Sequence, residues 1–173
     1  GRTTTKYISD ALGRKEAEKL PSYLWTAVLI QTMIGFAAAM FCWLAAPLIV
    51  RRMLIIPEGF IVETILTIRI VGLSLPLMFV SSSFRGVLEA AQRFDLVNAV
   101  KVPANILFYV LPLAGAAFGY ELPGIVVLLV ASRAGALAVW AHLSFRVLPP
   151  LRTRPALEAG LVRPLFSFSG WVG

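Results

Sequence analysis

Two arginines stand inside long apolar stretches of this sequence, where a charge is costly. Arg69 lies in the stretch from Ile61 to Phe84, and Arg133 lies in the stretch from Leu122 to Phe145. An arginine within a membrane helix costs roughly 2.5 to 3.5 kcal/mol on insertion scales, so it usually faces a water-filled cavity or an anionic partner. A guanidinium group binds phosphate oxygens through paired hydrogen bonds. We therefore predict that Arg133 and Arg69 bind an anionic ligand.

The alternative for each arginine is that its long side chain reaches an interface or satisfies backbone carbonyls inside a helix bundle. Arg69 lies about eight residues, or roughly 12 Å, into its stretch, with Glu63 nearby. Arg133 lies about eleven residues in, close to mid-membrane, where snorkelling has less scope. We expect the side chain of Arg133 to face the inside of the bundle.

The residues of catalytic and metal sites are sparse. The single cysteine, Cys42, and the single histidine, His142, exclude an internal disulfide and a His/Cys metal cluster. Asp10, Glu16 and Glu18 are interspersed with lysines instead of being grouped for metal or acid–base chemistry. We predict no catalytic residues, no metal, no cofactor and no enzymatic activity.

Four apolar stretches are long enough to cross a bilayer, and two of them contain these arginines. Residues 23–50 form a run of 28 residues that contains no Asp, Glu, Lys, Arg or His. A helix needs about 20 residues to cross a hydrocarbon core of ~30 Å. The others are 61–84, 102–119 and 122–145, and none alternates as barrel strands do. The predicted fold is all-α: a polytopic membrane helix bundle of about four transmembrane helices plus the start of a fifth.

The predicted organisation has four parts. Residues 1–21 form a cytoplasmic segment, 22–148 the four-helix transmembrane region, 149–165 a cytoplasmic linker, and 166–173 the start of the next transmembrane helix. The last assignment depends on the aromatic residues that follow the linker, because aromatic side chains concentrate at membrane interfaces. We expect the chain to be part of a longer protein.

The basic residues predict the orientation. Twelve of them fall before the first stretch, between the second and third, and after the fourth, whereas only Arg51 and Arg52 lie in the opposite gaps. The positive-inside rule then places both ends of the chain in the cytoplasm. This topology accounts for the net charge of +7 without nucleic acid, whose binding patch would gather on one face among aromatics.

The segments between the stretches also carry patterns. Residues 85–101 predict either a short interfacial helix or a cytoplasmic extension of the second membrane helix, with Arg85, Glu89 and Arg93 in i,i+4 pairs. Residues 3–12 can be helical, Gly13 suits the left-handed position that ends a helix, and Pro21 suits the first turn of the next.

Small and polar residues inside the stretches predict helix contacts. Gly115 and Gly119 form a G-x-x-x-G pair, and Ala131, Gly135 and Ala138 continue a small face on the next helix, which favours close approach. A gating hinge is the alternative. Gln31, Asn105 and the serines at 81–83 are suited either to a cavity wall or to hydrogen bonds between helices.

Two segments resemble a known family. The start, Gly-Arg-Thr-Thr-Thr-Lys-Tyr-Ile-Ser-Asp-Ala-Leu-Gly, and above all Phe84-Arg-Gly-Val-Leu-Glu-Ala-Ala-Gln-Arg-Phe-Asp-Leu-Val-Asn98, resemble the bacterial polysaccharide and O-antigen flippases. These belong to the multidrug/oligosaccharidyl-lipid/polysaccharide exporter superfamily. The resemblance implies a transporter of two six-helix lobes around a central cavity, in which this chain is similar to helices three to six of the first lobe, the interlobe linker and the start of helix seven.

The resemblance also implies a function. A flippase would move or export a lipid-linked oligosaccharide bearing a pyrophosphate across the bacterial inner membrane, for polysaccharide biosynthesis, together with the remainder of the transporter. A cation-coupled multidrug exporter of the same superfamily is the alternative, and it would need a membrane-buried Asp or Glu, which this sequence lacks deep in a stretch. A membrane transferase would need grouped carboxylates. A non-transporting membrane subunit stays open.

Overall fold

The computed structural model describes residues 2–14 and 16–152, and within them the protein is built from helices with no strand. The helices are α1 (Arg2–Gly13), α2 (Leu20–Arg52), α3 (Ile61–Ala90), α4 (Phe94–Ala117) and α5 (Leu122–Val147). Short 3-10 turns occupy Ala17–Lys19, Glu58–Phe60 and Pro149–Arg152. Most of the predicted linker and the predicted fifth helix, 153–173, lie outside the described residues.

Four helices, α2 to α5, are long and apolar enough to cross a membrane, which confirms the predicted polytopic bundle. Each contains its predicted stretch, except that the third ends at Ala117, two residues early, where Gly119 turns the chain with φ +75°. The second membrane helix, α3, continues to Ala90, so the first part of the predicted segment 85–101 is an extension of that helix. Residues 94–101 are instead the start of α4, so the segment 85–101 forms no separate interfacial helix. Gln92, with φ 57°, reverses the chain into α4.

The α1 helix ends differently from the prediction. Gly13 closes α1 without a positive φ, so its predicted left-handed conformation is wrong. The reason is that the helical hydrogen bonding continues past Gly13: the backbone N–H of Arg14 still donates to the carbonyl of Asp10, four residues earlier, so the helix ends after Gly13. Pro21 lies in the first turn of α2, as predicted.

The α3 helix lies between α2 and α5, and α4 packs along α5. At the contact of α2 with α3, a Cβ added to Gly35 would lie 2.5 Å from the Cα of Pro76, so only glycine permits this approach. Between the same two helices, the Ser83 hydroxyl donates a hydrogen bond to Gln31 Oε1 at 2.7 Å, and the Ser82 hydroxyl does so at 3.3 Å. Gln31 therefore serves interhelical hydrogen bonding.

The helices α4 and α5 approach closely near their connecting turn. A Cβ on Gly115 would lie 2.8 Å from Ile125 Cγ1, in agreement with the predicted close approach. At the same end, Glu63 Oε1 of α3 accepts a hydrogen bond of 3.0 Å from the backbone N–H of Leu122, which satisfies one free donor at the start of α5.

Most of the buried apolar core lies at the other end of the bundle, where α1 packs against α2 and α3. Its fully buried members include Ile8, Leu20, Leu24 and Leu88, and the rings of Tyr7 and Tyr23 stack with centroids 5.6 Å apart. Large apolar side chains along α2 to α5 are exposed instead, such as Phe41 at 71%. Such a surface is suited to lipid or to other membrane helices.

Candidate ligand-binding groove

A groove opens between α3 and α4, with α5 as its floor. It arises because α4 packs along α5 and touches α3 little beyond the turn at Gln92. The groove encloses about 210 Å³. We call it the cationic groove, and its lining residues are Met78, Ser81, Ser82, Arg85, Lys101, Ala104, Asn105, Arg133, Ala136 and Trp140.

Three helices each contribute one cation to this groove: Arg85 from α3, Lys101 from α4 and Arg133 from α5. By helical rise, Arg85 and Lys101 lie about 8 and 10 Å from the ends of their helices at the α3–α4 turn, and Arg133 lies about 20 Å from the end of α5. The cations therefore extend from one end of the bundle to its middle. No carboxylate is among the lining residues.

The side chain of Arg133 lies against α4 and lines the cationic groove. It is half-buried, and its guanidinium carbon is 5.7 Å from the centre of the Phe108 ring, a cation–π contact. It forms no ion pair or hydrogen bond with the part of the chain that the structure describes. Its donors are thus available to a ligand.

The side chain of Arg85 is held by an ion pair with Glu89 of the same helix. Its Nε lies 3.2 Å from Glu89 Oε1, an ion pair whose angle is not that of a hydrogen bond, and Glu89 Oε2 accepts from the Thr5 hydroxyl at 3.3 Å. The Arg85 side chain remains 42% exposed. Thr5 of α1 thus contacts Glu89, and Glu89 in turn orients the side chain of Arg85.

Arg69, the other predicted binding residue, lies outside the groove. Its guanidinium carbon is 5.0 Å from the ring centre of Trp43 on α2, and its Nε is buried without a hydrogen-bond partner. The structure does not bring Arg69 and Arg133 together. The contact of Arg69 is with an aromatic ring in the packing of α2 on α3.

Sequence analysis placed Arg85 and Lys101 in a helical segment outside the membrane stretches and so missed them as site residues. The signal that could have found them is the spacing of Ser81 with Arg85 and of Lys101 with Asn105. Residues four apart share a helix face. Asn105, Ser81 and Ser82 line the groove, which is one of the two uses predicted for them.

The carboxylates of the described residues lie at helix ends or outside the membrane helices. Asp95, in the first turn of α4, binds Arg93 through two hydrogen bonds of 2.9 and 3.0 Å, which raise the pKa of the Arg93 guanidinium above its ordinary value. Residues 2–14 and 16–152 contain no group of three His, Cys, Asp or Glu side chains that could hold a metal ion.

The four membrane helices and the groove between them define a multi-pass membrane protein. A family model, MatE, matches residues 3–120, which is more than half of the chain and covers α1 to α4. The protein belongs to the MatE family, whose members are membrane transporters of the exporter superfamily. No curated protein and no solved structure matches the chain.

Proposed function

We propose that this protein exports a lipid-linked oligosaccharide and that the cationic groove binds the pyrophosphate of that substrate. The observation that supports the proposal is the convergence of Arg85, Lys101 and Arg133, from three helices, on a groove with no carboxylate in its wall. Like charges that converge in a medium of low dielectric constant repel one another, and an anionic ligand removes that cost.

The groups beside these cations suit the same ligand. Arginine donates paired hydrogen bonds to phosphate oxygens, and lysine supplies a compact charge. Ser81, Ser82 and Asn105 add uncharged hydrogen-bonding groups to the wall, which suit sugar hydroxyls. Arg69 is proposed as an auxiliary binding residue of smaller effect, because it lies outside the groove.

A cation-coupled multidrug exporter fits the groove less well. Such a transporter would use a carboxylate within the membrane to hold the coupling ion and to attract cationic substrates. In the described helices the carboxylates nearest the membrane, Glu63, Glu89 and Asp95, lie within three residues of a helix end. Arg85 is paired with Glu89, but Lys101 and Arg133 keep the groove positively charged, and this charge repels a cationic drug.

The proposal includes a setting. The protein acts in the bacterial inner membrane, with both ends of this segment in the cytoplasm and with the remainder of the transporter completing the cavity. In that orientation the cations of the groove extend from the cytoplasmic side to mid-membrane, so a substrate made in the cytoplasm would meet Arg85 and Lys101 first.

A binding titration tests this function. In the intact protein, in nanodiscs of neutral lipid, Arg133→Ala should weaken binding of a polyprenyl-diphosphate oligosaccharide about 10- to 100-fold, the equivalent of one or two charge-assisted hydrogen bonds. Arg133→Lys should restore part of the affinity, because it keeps the charge but loses the planar fork. In cells, surface polysaccharide should fall while the amount of protein in the membrane stays constant.

The matched control is Arg93→Ala. Arg93 lies at the same end of the bundle as Arg85 but outside the groove, and it is paired with Asp95. Replacing it by alanine changes the net charge as Arg133→Ala does and should leave the affinity unchanged. Wild-type affinity in the triple variant Arg85→Ala, Lys101→Ala, Arg133→Ala would refute the proposed site. Equal losses for Arg93→Ala and Arg133→Ala would show only general attraction between the charges of protein and ligand.

A further inference from the structure

A second groove runs between α4 and α5, and its wall is apolar. Pro103 and Leu107 on α4 and Gly135 and Val139 on α5 lie along it, and it encloses about 370 Å³. No charged residue contributes to its wall. We call it the apolar groove.

The apolar groove is open at Gly135 because no described residue packs against the small face of α5. The sequence predicts close helix approach at Ala131, Gly135 and Ala138, and no described helix makes that approach. A Cβ added to Gly135 would have no atom within 4 Å, and Ala131 and Ala138 are exposed. The small residues leave space beside α5 at this position.

The apolar groove adjoins the cationic groove. A cavity of about 240 Å³ lies next to both: it shares Asn105 and Arg133 with the cationic groove, and it shares Ser132 with the apolar groove. Ala104 and Ala136 line all three. At this place only methyl groups and a hydroxyl stand between the cations on one side and the apolar wall on the other.

We propose that the apolar groove holds the hydrocarbon chain of the ligand whose phosphate lies in the cationic groove. This inference rests on the proposed function and names the part of the substrate that function leaves unplaced. A phosphate bound at Arg133 lies beside the small, uncharged side chains of Ala104 and Ala136, which line both grooves. The chain attached to it can therefore cross these side chains without meeting a charge and lie along Leu107 and Val139.

The bound chain would lose its contact with water or bilayer on one side and gain the helix walls on the other. Because the chain starts in lipid, its contribution to affinity comes from packing against the helix walls, and a side chain that fills the groove removes it. A ligand that carries the same diphosphate sugar on a single isoprenyl unit should bind the cationic groove without filling the apolar groove. The two ligands separate the two grooves.

The test fills the apolar groove from α5. In the intact protein, in nanodiscs of neutral lipid, Gly135→Leu should weaken binding of a long-chain polyprenyl-diphosphate disaccharide about tenfold and leave the affinity for the single-isoprenyl analogue unchanged. Space for the first side-chain carbon is present, so the helix can accept the change. Val139→Phe adds bulk to the same wall and gives a second measurement if Gly135→Leu lowers the melting temperature.

The matched control is Ala138→Leu, which adds a comparable side chain to an exposed position of α5 outside the wall of the apolar groove. It should change neither affinity. The inference is overturned if both Gly135→Leu and Val139→Phe leave long-chain binding intact, which would assign the groove to ordinary bilayer lipid. It is also overturned if they weaken both ligands equally.

Arg133→Ala distinguishes this inference from the proposed function. It should weaken both ligands, because both carry the diphosphate. If it weakens neither, the phosphate site itself is refuted, and the inference with it. If it weakens both while the groove-filling variants have no effect on chain-length dependence, the phosphate site stands and the apolar groove is not its continuation.

Discussion

Arg133 and Arg69 look alike in the sequence, as single arginines in apolar stretches, but their surroundings differ. Arg133 shares a groove with Arg85 and Lys101, whereas Arg69 lies over the ring of Trp43. Hydropathy detects that a charge is inside a membrane helix, but it does not reveal which neighbouring helix the charge faces. That depends on the packing of α3 between α2 and α5.

The contact of Arg69 with Trp43 predicts a stabilising pair between α2 and α3. Cation–π contacts contribute about 0.5 to 2 kcal/mol, depending on desolvation. In a double-mutant cycle of Arg69→Met and Trp43→Leu, measured by unfolding in detergent, we expect a coupling energy of that size. Arg69→Met should lower ligand affinity less than Arg133→Ala does.

Additive effects in this cycle would show that the guanidinium and the ring do not interact. A loss of ligand affinity for Arg69→Met as large as that for Arg133→Ala would return Arg69 to the binding site, as the sequence predicted.

At the scale of the helices, the sequence predicted the membrane stretches well because each is a long run without charge. Its boundaries failed where helix and membrane do not coincide. Asp95, Asn98 and Lys101 make the first two turns of α4 polar, so hydropathy begins the helix at Val102, eight residues after its start at Phe94. This is why Lys101 was assigned to the segment between the membrane stretches and missed as a groove residue.

The small residues show the same limit. Both Gly115 and Gly135 suit close helix packing, yet only Gly115 meets a neighbour, Ile125. Local sequence permits close approach but does not bring two helices together. Whether a small residue meets a neighbour depends on which face of its helix lies against another helix, and the packing of the whole bundle decides that.

The contact of Gly35 with Pro76 gives a prediction for α2 and α3. Gly35→Ala should destabilise the protein by about 1 to 3 kcal/mol, because the new methyl group would lie 2.5 Å from a backbone atom of α3 and the helices must separate. Replacing glycine by alanine in a helix otherwise gains about 0.5 to 1 kcal/mol, so the overlap outweighs the propensity. Thermal unfolding in detergent measures the change.

Gly135→Ala is the control for this substitution, since the same methyl group meets open space there. It should be neutral or slightly stabilising. Equal stability of the Gly35→Ala and Gly135→Ala variants would contradict the close approach of α2 to α3.

In the whole molecule, the α2–α3 and α4–α5 turns lie at one end of the bundle and the α3–α4 turn lies at the other. Glu58 and Glu121 lie at the end where α2 joins α3 and α4 joins α5, whereas Gln92 lies between α3 and α4. With Cys42 replaced by alanine, single cysteines at Glu58 and Glu121 should react with an impermeant reagent added outside intact cells. A cysteine at Gln92 should react only after the membrane is opened.

The reverse pattern, with Gln92 labelled from outside, would invert the orientation and place Arg85 and Lys101 of the cationic groove on the outer side. The charge distribution would then have failed as a guide to topology, although the helix bundle itself would be unaffected.

The most direct test of the account is to locate the ligand in the groove by photo-crosslinking. Asn105 lines the cationic groove, whereas its neighbour Ile106 is 56% exposed on another face of α4. With a photoreactive amino acid at each position in the intact protein, a labelled polyprenyl-diphosphate oligosaccharide should be captured at position 105, and unlabelled ligand should compete for that capture. Position 106 should give little capture that ligand can displace. Capture at 106 that matches 105, or none at 105, would contradict a phosphate-binding groove between α3, α4 and α5.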